Sequence, residues 1–149
     1  ILSLSLDHTC DLDRRKITPL PADHVVPAVG DQLDSGRASL VFTGDTTTND
    51  ALWSAVNKIK NLKYLIIESA FSNQKRDIAL RSKHLCPSLL AEELKKFKQT
   101  AEIFITHLKP NEADVTMRFV CFQMRDEYLC SLFKFFQFFR QQTAEIFIT

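Results

Sequence analysis

The chain has 149 residues, of which 45% are hydrophobic and 25% charged, and its formal net charge is +1. This length and composition suit a globular domain with a core of its own and exclude a disordered chain. The near-neutral charge leaves no electrostatic footprint for nucleic acid or an anionic membrane surface, and no run of roughly 18 apolar residues is present to span a bilayer.

The first residue is Ile1, with no Met, no basic n-region and no cleavage site, so the natural N-terminus is expected upstream. Cys10, Cys86, Cys121 and Cys130 show no C-x-x-C spacing. They read as free thiols of a reducing, cytoplasmic compartment, and a zinc-ribbon reading fails. Ser39–Thr43 is a short β-type run ending at Gly44-Asp45. Asn49 or Asp50 caps a helix over 50–60 in which Leu52, Ala55, Val56 and Ile59 share a face. Tyr64–Ile67 is an apolar run of the kind buried on both faces of a sheet. Pro87 and Ser88 start a helix through Lys98 with Leu90, Leu94 and Phe97 on its stripe. Ile103–Ile105 is a third strand. The alternation predicts an α/β layer, its three strands neighbours in one sheet.

Beyond Pro110 the character changes. Neither Pro nor Gly recurs, and seven of the twelve Phe lie between Phe119 and Phe139. The expected division is a domain over 1–110 and a Phe-rich helical tail over 111–149. The octapeptide Q-T-A-E-I-F-I-T at 99–106 returns letter for letter at 142–149. Two copies with unrelated flanks are no solenoid. The second reads as an artefact of splicing or assembly, not as another core strand.

Four loci at predicted strand ends carry chemistry, where open α/β sheets place ligand-binding groups. His24 opens H-V-V-P-A-V-G, and Asp45 lies in F-T-G-D-T. Glu68 ends Y-L-I-I-E, with His84 following in S-K-H-L. His107 closes I-F-I-T-H. Singly each is bland: a packed His, a turn Asp, an exposed Glu. Together, histidines and a carboxylate at a sheet edge are ligands that suit Zn²⁺ or Mn²⁺. Glu68 and His84 suit a supporting or acid–base pair.

Over Pro19–Pro110 the order of six blocks resembles the second half of a class II cyclic-nucleotide phosphodiesterase. These are P-A-D-H-V-V-P-A-V-G, S-L-V-F-T-G-D-T, N-D-A-L-W, N-L-K-Y-L-I-I-E-S-A-F-S-N, S-K-H-L-C-P-S-L-L-A-E-E-L and I-T-H-L-K-P. The resemblance implies the C-terminal half of a metallo-β-lactamase αββα sandwich. It also implies a centre of two divalent ions, zinc before manganese or magnesium, and a small cyclic nucleotide as substrate. By the same resemblance His24 is a ligand to one metal, Asp45 bridges both, and His107 is a ligand to the second. His84, held by Glu68, manages the proton on the leaving 3′-oxygen as a 3′,5′-cyclic phosphate opens to a 5′-monophosphate.

The chain departs from that pattern in named places. The H-x-H-x-D-H cluster that supplies most of the ligands has no counterpart. Ser3-Leu4-Ser5-Leu6-Asp7-His8 keeps its D-H but has serine at both preceding His positions. Lys83 stands for a usual Gly, Cys86 for a usual Thr and Asp31 for a usual aromatic residue. An incomplete or inactive fragment is therefore expected, holding metal weakly by itself. Two other readings are an RNA-processing nuclease of the same superfamily and a non-catalytic interaction remnant. The absence of clustered Lys and Arg argues against the nuclease.

Overall fold

The computed structural model describes residues 8–108 together with Leu6, Thr116, residues 118–120 and Phe122. The boundary expected at 110, the second octapeptide at 142–149 and nearly all of the Phe-rich tail lie outside the described residues. Among those described, no helix is long and apolar enough to cross a membrane.

Six strands form one sheet in chain order: β1 (Cys10–Leu12), β2 (Arg15–Pro21), β3 (Val29–Asp34), β4 (Ser39–Phe42), β5 (Leu62–Glu68) and β6 (Glu102–Thr106). The first four pair antiparallel and the last three parallel. Parallel neighbours need crossovers. Helix α1 (Asp50–Val56) lies in the β4–β5 connection, and a 3₁₀ turn with α2 (Arg76–Arg81) and α3 (Pro87–Leu94) lies between β5 and β6. The three predicted strands are thus adjacent in one sheet.

Side-chain alternation sets the core. Val41, Leu65, Ile67, Ile103 and Ile105 are buried with Leu52, Trp53 and Val56 of α1 and Leu90 and Leu94 of α3. Burying such side chains contributes about 1.5–3 kcal/mol each. Buried Glu93 ties the helices together, accepting from Trp53 Nε1 at 2.6 Å and from the Asn49 N–H at 3.0 Å. On the opposite face the register aligns Leu33, Leu40 and Tyr64 in one row and Phe42, Ile66 and Phe104 in the next. Leu33 and Phe42 of that face are exposed.

Both predicted helices end early. At α1 the cap is Asn49, whose side chain accepts from the Leu52 N–H at 3.1 Å. The helix stops at Val56 because Lys58 and Ile59 bond three residues back, to Ala55 and Val56, in a tightened last turn. Asn57 turns its side chain to Lys96 O and the Lys98 N–H. In α3 the same tightening, Lys96 to Glu93 and Phe97 to Leu94, ends the α-helix at Leu94.

Strands β1–β3 carry little sequence signal. Pro19 and Pro21 argue against a strand over 15–21. Among the described residues β1 pairs β2 only as far as Ile17, so no described strand asks Pro19 or Pro21 for an N–H on the outer side. Helix α2 is equally quiet: Ala79 is its buried residue, while Ile78 and Leu80 are exposed.

Candidate metal centre

Topology dictates where the chemistry falls. The parallel strands β4, β5 and β6 all end at one edge of the sheet. Because β2 and β3 form an antiparallel hairpin there, the loop carrying His24 opens at the same edge. Asp45, Glu68 and His107 follow or end the three parallel strands, and His84 lies in the β5–β6 crossover.

Asp45 is aimed by Gly44. Beyond β4, Gly44 takes φ +63, and a Cβ there would meet Val29 O at 2.7 Å. Only glycine satisfies both the left-handed turn and the close approach. Gly44→Ala is expected to cost about 2–4 kcal/mol, from left-handed strain plus overpacking. Urea denaturation checks this, and an unchanged midpoint would refute it.

The His24 loop is held to the Asp45 turn from both sides. The Asp23 N–H donates to Thr46 Oγ1 at 3.0 Å, and the Thr47 N–H donates to Asp23 O at 3.0 Å. His24 Nδ1 bonds Lys83 O at 3.2 Å.

Glu68 is the most enclosed acid of the site, 1% exposed at its side chain. Its Oε1 accepts from His84 Nδ1 at 2.7 Å and from the Thr46 and Leu85 N–H groups, both at 3.3 Å. Its Oε2 accepts from the Ala70 N–H at 2.9 Å. Burial pushes Glu68 up to about 7, against those N–H groups and His107, which pull it down. Burial also holds His84 below its ordinary value, helped by His24 and opposed by Asp45. With Nδ1–H given to Glu68, neutral His84 carries its lone pair on Nε2.

His107 leaves β6 in a left-handed conformation, φ +60, and its Nδ1 lies 3.2 Å from Asp45 Oδ1, both side chains 47% exposed. The His84 ring sits edge-on between His24, 4.7 Å away, and His107, 5.2 Å away. The structure therefore brings His24, Asp45, Glu68, His84 and His107 into one cluster.

Two groups in it have ligand atoms within 4.8 Å of one another: His24, Asp45 and His84, and Glu68, His84 and His107. Donors at about 2.0–2.2 Å from a cation lie roughly 3–4 Å from each other, so closing on one requires shifts of at most about 1–2 Å. Imidazole nitrogen and carboxylate oxygen suit a borderline divalent ion. The first group fits better, since Glu68 already accepts four hydrogen bonds. In this geometry His84 is itself within ligand reach, beside the proton-handling role that the resemblance implies.

The sequence did not reveal the groups that hold the cluster: the Lys83 carbonyl, the Thr46 hydroxyl and the N–H groups converging on Glu68. Backbone donors have no letter of their own. A signal was present in S-K-H, where a lysine follows the short helix at a position that turns left-handed.

No protein-family model matches the chain, and no curated protein matches it. Solved structures do. The metallo-β-lactamase fold protein YhfI from Bacillus subtilis superposes with TM-score 0.66 at 20% identity, covering 80% of this chain and 48% of that one. Igni18, a metallo hydrolase from Ignicoccus hospitalis, gives 0.56 at 14% identity over 80% of this chain and 52% of that one. Human tRNase Z, short form, gives 0.51 at 20% identity over 69% and 39%. Identities this low carry the fold alone. The chain has the metallo-β-lactamase fold and spans about half the length of these neighbours.

Proposed function

We propose that this chain, with its metallo-β-lactamase fold, is the C-terminal half of a metal-dependent phosphodiesterase that opens 3′,5′-cyclic nucleotides to 5′-monophosphates. The carrying observation is the convergence of His24, Asp45, His84 and His107, drawn from four separate segments, around the buried Glu68. The cyclic-nucleotide assignment rests on the six sequence blocks; the fold neighbours support a metallohydrolase.

His24 and Asp45 would hold a divalent cation, with His84 or His107 completing its sphere. Such an ion supplies charge neutralisation for a phosphoryl group and a more acidic water. Asp45, the half-exposed carboxylate of the cluster, brings negative charge to offset the cation. Glu68 orients His84 through Nδ1; where His107 and not His84 completes the sphere, Nε2 is free to take up a proton and pass it to the departing 3′-oxygen as general acid. Zinc suits the donor set best, with manganese or magnesium as alternatives. A second ion needs the donors of an H-x-H-x-D-H cluster, which the proposal places in a preceding segment of a longer polypeptide or in a separate chain.

The test is complementation. The 149-residue chain, a polypeptide carrying H-x-H-x-D-H, and the two together are assayed with Zn²⁺ or Mn²⁺ for conversion of cAMP and cGMP to 5′-monophosphates. Neither part alone should exceed background, and the mixture should turn over. Cleavage of precursor RNA with no cyclic-nucleotide turnover would overturn the substrate assignment. No hydrolysis of any phosphodiester would overturn the enzyme reading.

A further inference from the structure

Helix α2 closes with two bonds: the His84 N–H donates to Ala79 O at 2.9 Å, and the Lys83 N–H donates to Leu80 O at 3.3 Å. This is a Schellman closure, whose left-handed position is ordinarily glycine. Here it is Lys83, at φ +54, carrying strain that glycine would avoid.

Two contacts run from Lys83 to the loop between β2 and β3. Its ammonium lies 2.6 Å from Asp23 Oδ1, and its carbonyl lies 3.2 Å from His24 Nδ1. A carbonyl only accepts, so Nδ1 carries the proton and the lone pair of neutral His24 is left on Nε2. We infer that Lys83 is a positioning residue for His24. The Lys83–Asp23 ion pair pins the loop against the α2 closure, and the Lys83 carbonyl then fixes which His24 nitrogen is open to a cation.

Glycine at position 83 would keep the carbonyl but lose the pin. Asp23 is also bonded through its backbone to Thr46 and Thr47, and His84 directly follows Lys83. One ion pair thus joins the segments that carry His24, Asp45 and His84. Partners that orient a ligating histidine through its other nitrogen commonly set metal affinity. The inference rests on reading His24 as a ligand, but its first readout needs no metal.

The experiment uses the whole chain as wild type, Lys83→Gly, Asp23→Asn, their double variant, and the swap Asp23→Lys with Lys83→Asp. Glycine suits the left-handed position, so Lys83→Gly is expected to fold. In the metal-free protein, ¹⁵N NMR of wild-type His24 should show the Nδ1–H tautomer alone, and either single variant should show a mixture. Co²⁺ titration should show affinity weakened about two- to fivefold in each single variant, the span of an exposed ion pair with side chains 42% and 47% exposed. The double variant should be no worse than either, the swap should recover most of the loss, and about 1 M salt should erase the difference. Unchanged tautomer and affinity in both single variants, or additive losses in the double, would overturn the inference. If wild type takes up no Co²⁺, the ligand reading of His24 fails, and the tautomer comparison alone decides the role of Lys83.

Discussion

Asp45→Ala is expected to weaken binding of a divalent cation by at least about 100-fold, while leaving the stability of the chain within about 0.5 kcal/mol. Asp45 is the one carboxylate in the group it forms with His24 and His84. Without it, neutral imidazoles alone face the ion. Its side chain is half exposed and pairs with His107 at 3.2 Å, so folding has little to lose. Wild-type binding should itself be weak, so Zn²⁺ calorimetry at high protein concentration is the measurement, paired with urea denaturation of both proteins. Wild-type affinity in Asp45→Ala would place the cation elsewhere. A loss of binding that merely follows unfolding would leave Asp45 no role as a ligand.

Glu68→Ala should act in the opposite sense, on the fold first. It removes the acceptor of three backbone N–H groups and of His84 Nδ1 in a buried site. Unsatisfied buried donors cost about 1–3 kcal/mol each, partly offset by no longer burying a carboxyl group, so a net loss of about 3 kcal/mol is expected. The pH dependence gives a finer test. A folded-state value near 7, above the ordinary 4.5, means that Glu68 contributes stability that is full below 4.5 and lost as pH rises through about 7. His84 is held below 6.5, so its contribution is present above 6.5 and lost as pH falls through its folded value. The two slopes oppose each other in the metal-free chain. Glu68→Gln removes the first, so its urea midpoint should fall on acidification from pH 7 to 5 more steeply than that of wild type. Equal slopes in the two proteins would show that Glu68 does not titrate there.

The sequence by itself determined the parallel half of the sheet and the residues of the cluster. Runs such as Leu40–Phe42, Tyr64–Ile67 and Ile103–Ile105 are apolar over the length of a buried strand, and that signal is local. Asp45, Glu68 and His107 stood at or just beyond the end of such a run, whereas His24 and His84 lie in connections. Where burial was one-sided or the residues were unsuited to strands, as in T-P-L-P and V-G-D-Q-L-D, the letters said little. Those strands form because neighbours supply the other half of each hydrogen-bonded ladder, and among the described residues β1 pairs β2 only up to Ile17, short of Pro19 and Pro21.

Only the tertiary structure decided how the site is held. Glu68 reads as an exposed strand-end acid, yet it is buried because the Asp45 turn and the His84 loop close over it and present their N–H groups. Lys83 reads only as a lysine in place of a usual Gly, yet a left-handed helix closure turns its carbonyl to His24 and its ammonium to Asp23. Backbone donors and acceptors are identical in every residue, so their convergence cannot be read from side-chain types. It follows from which strand lies beside which, and here an antiparallel hairpin beside three parallel strands brings residues 24 and 107 to one edge.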